Sequence, residues 1–337
     1  MTECEVVLSC SSQLQALPWQ TSYAGNARRF GIEIEFSGLE LADVTQLIAK
    51  QLQLSVEEDG RYRYRITGDK AGDWLIELDF QRLTKMGEQK FDTDSLTDNL
   101  QESLETMLAA VAKKVVPLEL VTPPLPFARL SEVTDLVALL HQHGAKGSSE
   151  SLQYAFGLQF NPEIPSTDVT TLLRIIQAFV CLQDWLRQRE HIDVVRSLTS
   201  FIEPYPKAYQ RKITNKEYQP ALSELIDDYL EFNPTRNRAL DCLPLFLHLD
   251  KKRVRAVTDD KLIKARPAFH YRLPSCEIHR KAWSLQHAWD GWAEVESLAA
   301  DHKRLARCMT AYRQHLSSLS STSASWVSKV EKQWLNR

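Results

Sequence analysis

Glu33 and Glu35 are where chemistry can first be sought, because they stand two apart in Phe30-Gly31-Ile32-Glu33-Ile34-Glu35-Phe36, a run that alternates apolar and non-apolar at every step. Read as a strand, it places Phe30, Ile32, Ile34 and Phe36 on one face and Gly31, Glu33 and Glu35 on the other. The two carboxylates then point the same way, roughly 7 Å apart. Like charges at that spacing repel unless water, a cation or a basic side chain compensates them. Taken alone, the run also describes a half-exposed strand with a solvated acidic face.

Four later segments share the design. Asp73 to Phe80 sets Trp74, Ile76, Leu78 and Phe80 against Asp73, Leu75, Glu77 and Asp79. Gln153 to Asn161 sets Tyr154, Phe156, Leu158 and Phe160 against a small, polar set that includes Gln159 and Asn161. Arg266 to Leu273 opposes Pro267, Phe269, Tyr271 and Leu273 to Arg266, Ala268, His270 and Arg272. Val116 to Thr122 is apolar on both sides except for Glu119, and leads into Pro123-Pro124. An antiparallel sheet packs one face on a core and leaves the other free. These strands can therefore pool carboxylates, amides and guanidinium groups on one surface, suited to holding cations and anionic ligands together.

The elements that must position them are mostly helical. Leu41 to Leu52 has helical spacing, residues 95–114 and 130–143 read as helices, and Gly144 to Glu150 as a polar loop. Arg61-Tyr62-Arg63-Tyr64-Arg65 reads as a strand with one cationic face, or equally as a solvated edge strand that its basic residues protect. Thr167 to Arg189 is the longest helical pattern, with Asp168 in its first turn and Thr167 or Ser166 as caps. Tyr205 to Pro220 carries Lys207, Arg211, Lys212 and Lys216; a mobile basic loop over an anionic ligand and a plain surface connection both describe it. Helices are expected again at 221–231 and 236–250, the latter broken or offset near Pro244, and over Ala282 to Leu298, Asp301 to Leu316 and Ala324 to Leu335.

The chain of 337 residues, 43% hydrophobic, can bury a large core. Its formal net charge of −3 argues against bulk attraction to nucleic acid or an anionic membrane. No apolar run approaches a bilayer span and the N-terminus carries acidic residues, so a cytoplasmic chain is expected. The 6 cysteines form no CxxC pair, which suggests neither a zinc knuckle nor a disulfide framework.

With Gly31-Ile32-Glu33-Ile34-Glu35-Phe36, Trp74 to Asp79, Glu119-Leu120-Val121-Thr122-Pro123-Pro124-Leu125 and Arg266 to Pro274 in this order, residues 25–275 resemble the amidoligase family. That family is similar in fold to glutamine synthetase and the glutamate–cysteine ligases. The resemblance implies an α+β fold: a curved antiparallel sheet with one polar concave face, backed by helices. Residues 1–25 would form an irregular lead-in, 26–275 the catalytic domain, and 276–337 C-terminal helices packed on the same domain. The implied activity is a carboxylate–amine ligase that uses ATP with Mg²⁺ or Mn²⁺, activates a carboxylate as an acyl phosphate and lets an amine displace the phosphate. Phosphoryl transfer calls for divalent cations, and hard cations for oxygen ligands. By the resemblance, Glu33, Glu35, Glu119 and Asp79 would supply them. Arg272 and Arg266 would meet phosphate or the activated acyl group. Arg236 and Arg238 would join Gln159 and Asn161 in holding the nucleotide, although helix-start arginines paired with nearby acids describe Thr235-Arg236-Asn237-Arg238 equally.

Two positions depart from the family's pattern. Gln159-Phe160-Asn161 stands where relatives show His-x-His or His-x-Asn, and His270 where they show Glu. Neutral imidazole suits borderline metals, so as a ligand His270 would favour Mn²⁺ over Mg²⁺ and lose affinity below about pH 6.5. The departures keep a second hypothesis open, a catalytically inactive ligase-like binding or assembly module. A metal-dependent hydrolase is a third, without an HExxH helix to support it. Walker and Gly-x-Ser-x-Gly motifs are absent from the sequence. Expected partners are small-molecule or peptide carboxylates and amines, with no nucleic acid and no membrane.

Overall fold

Strand β1 (Arg29–Phe36) runs through the middle of the sheet and is buried over seven of its eight residues. The computed structural model describes residues 14–79, 117–148, 156–190, 192 and 202–335. Helix α1 (Leu41–Leu52) follows β1 and ends at Gln53, in the left-handed region at φ 57°. Strands β2 (Ser55–Glu58), β3 (Arg63–Thr67) and β4 (Trp74–Leu78) form a meander, and β5 (Leu118–Val121) brings the chain back beside β1. The short β6 (Leu125–Pro126) pairs with the start of β1 before helix α2 (Leu130–Gln142). Strand β7 (Leu158–Pro162) lies on the other side of β1 and leads to the long helix α3 (Val169–Arg189). Then come α4 (Lys207–Ile213), α5 (Leu222–Phe232), β8 (Leu240–Asp241), α6 (Leu243–Leu249), α7 (Lys251–Arg255) and β9 (His270–Tyr271). Helices α8 (Leu285–Ala300), α9 (His302–Ser317) and α10 (Ser323–Gln333) close the order.

All ladder pairs are antiparallel, in the order β2-β3-β4-β5-β1-β7-β9-β8, with β6 beside β1. The sheet is open, and the architecture is α+β. Its apolar face rests on helices because every second strand residue is large and hydrophobic. The rings of Phe30 and Phe160 meet Trp289 at centroid distances of 5.0 and 5.9 Å, and Tyr271 meets Trp292 at 5.5 Å. Both tryptophans belong to α8, which packs in turn on α3. Two segments far apart in sequence are locked here: Arg28, just before β1, pairs bidentately with Glu296 of α8 at 2.8 and 2.6 Å, their side chains only 1% and 0% exposed. Helix α8 thus lies beneath the apolar face of the sheet.

Several expectations change. Residues 236–241 are not helical: Leu240–Asp241 is a strand, and Pro244 lies in the first turn of α6, where its missing N–H costs nothing, rather than breaking a helix. Tyr205 to Pro220 is no mobile loop, since it contains α4 with Tyr209, Gln210 and Ile213 buried. Asp168 is the N-cap of α3, accepting from the Thr171 N–H at 2.9 Å. The Arg266 strand shrinks to two residues, because the flanking Pro267 and Pro274 cannot donate to a ladder. Strand β3 lies inside β2 rather than at the edge, and Arg63 and Arg65 are matched by Asp59 at 3.0 and 2.9 Å. Helix α3 is long and apolar enough to cross a membrane, contrary to the sequence reading, yet most of it is buried inside the protein. The helix expected at 95–114, Phe80, Val116 and the segment 153–155 lie outside the described residues.

Candidate functional site

On the polar face the strand registers set side chains in rows. Glu77 on β4 stands opposite Glu119 on β5, and Glu119 opposite Glu35 on β1, so three glutamates occupy three adjacent strands, about 4.8 Å from one strand to the next. Arg63 continues the row on β3, with Nη1 3.9 Å from Glu77. Glu33 lies two residues back on β1, on the same face and opposite Gln159. Asp79 follows β4, its backbone N–H donating to the Pro117 carbonyl at the end of the sheet. Burial, with the charges of Glu33, Glu35, Asp79 and Glu77, pushes the Glu119 carboxyl well above the usual range. Burial also raises Glu77, where Asp79 and Glu33 add to the effect and Arg63 and Lys264 oppose it.

The amides of β7 hold the β1 carboxylates in place. Glu35 accepts from the Gly157 N–H at 2.8 Å and from Gln159 Nε2 at 3.1 Å. Glu33 Oε1 accepts from Asn161 Nδ2 at 3.0 Å and from Arg266 Nη1 at 3.0 Å, and Arg266 also reaches Asn161 Oδ1 at 3.1 Å. Gly31 makes room for this arrangement: it faces Asn161 in the ladder, and a Cβ there would stand 3.3 Å from the Asn161 Cβ.

His270 Nε2 is 2.6 Å from Gln159 Oε1 and 3.3 Å from Arg272 Nε. Both cannot be hydrogen bonds, since a neutral imidazole nitrogen either donates or accepts. Gln159 decides the matter: donating its amide to Glu35 turns its oxygen towards the ring, so Nε2 carries the hydrogen. Two donors then run in series, from His270 to Gln159 to Glu35. In this tautomer Nε2 has no lone pair for a metal. Burial, with the charges of Arg272, Arg266 and Arg236, holds the His270 pKa well below its ordinary value, so the ring stays neutral through the pH range in which it was expected to protonate.

Of the arginines, Arg238 is taken up by the scaffold: it donates to Asn233 Oδ1, Glu203 Oε2 and the carbonyls of Pro204 and Phe232. Arg236 pairs with Asp260 at 3.0 Å and, with Arg266 and Arg272, is close enough to act on both His270 and Asp241. Asp241, expected only as an ion-pair partner for the arginines at 236–238, lies in this cluster. It stands opposite His270 in the β8–β9 ladder and is 1% exposed. Oδ1 accepts from the Leu243 N–H at 2.9 Å, and Oδ2 has no hydrogen-bond partner. Burial pushes its pKa up to about 6 against the pull of Arg272, Arg236 and Arg266. The signal was faint, since a two-residue strand gives no alternation to read.

Among the described residues no three His, Cys, Asp or Glu side chains converge into a formed metal cluster. The carboxylate row still fits a hard divalent cation: its donors are all oxygens, and the raised pKa values of Glu119 and Glu77 mark negative charge that a cation would relieve. An open row suits Mg²⁺, which binds through one or two carboxylates, retained waters and substrate phosphates.

The protein is thus of the α+β class, an open antiparallel sheet with helices under one face and carboxylates, amides and arginines gathered on the other. The chain belongs to the amidoligase family, whose model, described as "Putative amidoligase enzyme", matches residues 26–293. The match runs beyond residue 275 into α8, in keeping with that helix's place beneath the sheet. The family makes the chain a ligase. No curated protein matches it.

Proposed function

We propose that the protein is an ATP-dependent ligase that joins a carboxylate to an amine through an acyl phosphate. One observation carries this reading: the polar face is divided into an acidic half, Glu77, Glu119, Glu35 and Glu33, and a basic half, Arg236, Arg266 and Arg272, which meet at the Glu33–Arg266 pair. A triphosphate lying across that boundary would have both halves to compensate its charge.

Glu33, Glu35 and Glu119, with Asp79 at the edge, would hold Mg²⁺ or Mn²⁺, which supplies neutralisation of charge on the phosphate oxygens when bound. Gln159 and Asn161 keep the β1 carboxylates turned to the face. Arg272 and Arg266 offer planar forks of donors to the γ-phosphoryl group and the acyl phosphate, and Arg236 lies beside them. The substrate carboxylate attacks the γ-phosphorus and ADP leaves. The amine nitrogen then attacks the acyl carbon, the carbon–oxygen bond to phosphate breaks, and phosphate departs with its electron pair while the nitrogen gives up one proton, to that phosphate or to water.

The test is ADP release from ATP with Mg²⁺ or Mn²⁺ across paired panels of amines and carboxylates, with Glu35→Gln as control. Turnover that requires both partners and is lost in the control supports the ligase. Absence of both ATP–metal binding and turnover points to the second reading, a ligase-like binding module. The Arg266 guanidinium favours that reading in one respect, since it already neutralises Glu33.

A further inference from the structure

The two glutamates of β1 are held by unlike means. Glu33 leans on Asn161 and on the Arg266 guanidinium, whose side chain is 37% exposed and can swing away. Glu35 is held from within the sheet: the Gly157 N–H donates to Oε2 at 2.8 Å, and the Gln159 amide donates to Oε1 at 3.1 Å. Gln159 is held in its turn, because His270 Nε2 stands 2.6 Å from its oxygen. Glu35, Gln159 and His270 are all buried. A carboxylate can only accept, whereas an amide has a donor at one end and an acceptor at the other, so the imidazole N–H settles which way round Gln159 lies. Without that N–H the amide oxygen is a buried acceptor with no donor, and turning the amide over sets its oxygen against the Glu35 carboxylate. Either outcome loosens Glu35.

We infer that His270, acting through Gln159, is a positioning residue that fixes the rotation of the Glu35 carboxylate, so that β9 sets the cation affinity of β1 without touching the cation. The cation comes from the ligase reading; the series of three side chains does not depend on it. A carboxylate already turned to its working orientation loses little freedom when an ion arrives, and groups that hold metal ligands in this way matter for affinity nearly as much as the ligands. An ionised glutamate at position 270 has no hydrogen to donate, so the arrangement requires the imidazole. The face thereby has one fixed corner, Glu35, and one exchangeable corner, Glu33.

The experiment combines Mn²⁺ titration of the full chain, followed by electron paramagnetic resonance, with nitrogen-15 spectra of the Gln159 side-chain amide, assigned from its disappearance in Gln159→Leu. His270→Leu removes the donor, and His270→Phe serves in its place if the leucine variant does not fold. His270→Gln supplies a donor again, since its amide nitrogen lies as many bonds from the backbone as Nε2. His270→Leu should weaken Mn²⁺ binding about tenfold or more and shift the Gln159 signals; His270→Gln should return both to near the wild type. In a Glu35→Gln background, His270→Leu should cost no further Mn²⁺ affinity, because the group it positions is already gone, whereas a general loosening of the sheet would cost as much in either background. Unchanged Mn²⁺ affinity or unmoved Gln159 signals in His270→Leu, no recovery in His270→Gln, or equal losses in the two backgrounds would overturn the inference. Should the wild type bind no Mn²⁺, the cation of the ligase reading falls, and the Gln159 signals, compared across His270→Leu, His270→Gln and Glu35→Gln, decide the inference by themselves.

Discussion

The Nη1 atom of Arg266 lies 3.0 Å from Oε1 of Glu33, so a guanidinium already stands against a carboxylate assigned to the cation. The pair is partly open to solvent, its side chains 37% and 11% exposed, which limits its worth to about 1 kcal/mol. Its larger effect is on competition. Arg266→Ala should raise Mn²⁺ affinity severalfold in the absence of nucleotide and lower ADP release at least tenfold. Titration and turnover measured on the same preparation check both, and a parallel loss of the two would make Arg266 a structural strut.

Glu119 links stability to pH. Its pKa is raised above the ordinary 4.5, so between that value and its own the folded chain binds more protons than the unfolded one. Stability contributed by this residue therefore falls as pH rises through that window, and stays low above it. Glu119→Gln removes the penalty. Without divalent metal the variant should melt at least about 2 °C higher than wild type at pH 7.5, with the gain shrinking towards pH 4.5. Turnover should fall at least a hundredfold. Calorimetric scans at the two pH values and the ADP assay test the two halves separately.

His270 should not titrate between pH 5.5 and 7.5, because burial and three nearby arginines keep its ring neutral. Nitrogen-15 spectra of the ring would show an unmoved neutral pattern with hydrogen on Nε2. His270→Gln should then leave the pH profile of Mn²⁺ affinity unchanged, whereas Glu119→Gln should flatten it. A wild-type profile that His270→Gln alone flattens would return His270 to the metal.

The buried Arg28–Glu296 pair predicts an asymmetric mutational response. Glu296→Gln removes one charge, leaves Arg28 uncompensated and should cost about 3–5 kcal/mol in urea denaturation. Arg28→Met combined with Glu296→Leu should recover part of that loss. Full recovery is not expected, because Arg28 also donates to the carbonyls of Glu163 and Trp19.

How much of this could be read beforehand depended on how strongly one face of each element is buried. β1 was legible because Phe30, Ile32 and Ile34 are core residues while Glu33 and Glu35 face the other way, and the amphipathic α1 and α2 were legible for the same reason. β2 escaped notice because Val56 is the one apolar residue in Ser55–Glu58. β8 was absorbed into a helix because Ala239 to Leu247 is apolar almost throughout, and such a run has no period to tell strand from helix. α4 gives little helical signal because its lysines and arginine mask the buried Tyr209, Gln210 and Ile213. Glu33, Glu35 and Glu119 could be placed on one face by alternation, but the Glu77–Glu119–Glu35 row depends on register, which sequence does not display. Asp241 was out of reach for both reasons together.

The tryptophans of α8 have a consequence for how the chain acquires its structure. Trp289 donates to the Gln15 carbonyl across 274 residues, and Glu296 meets Arg28 across 268. Contacts of such separation are entropically late. During synthesis the apolar side of β1 and β7 has no partner from α8 until Leu285–Ala300 has left the ribosome. Until then that apolar side is exposed surface, and exposed hydrophobic surface of this kind is what makes incompletely folded chains prone to aggregate.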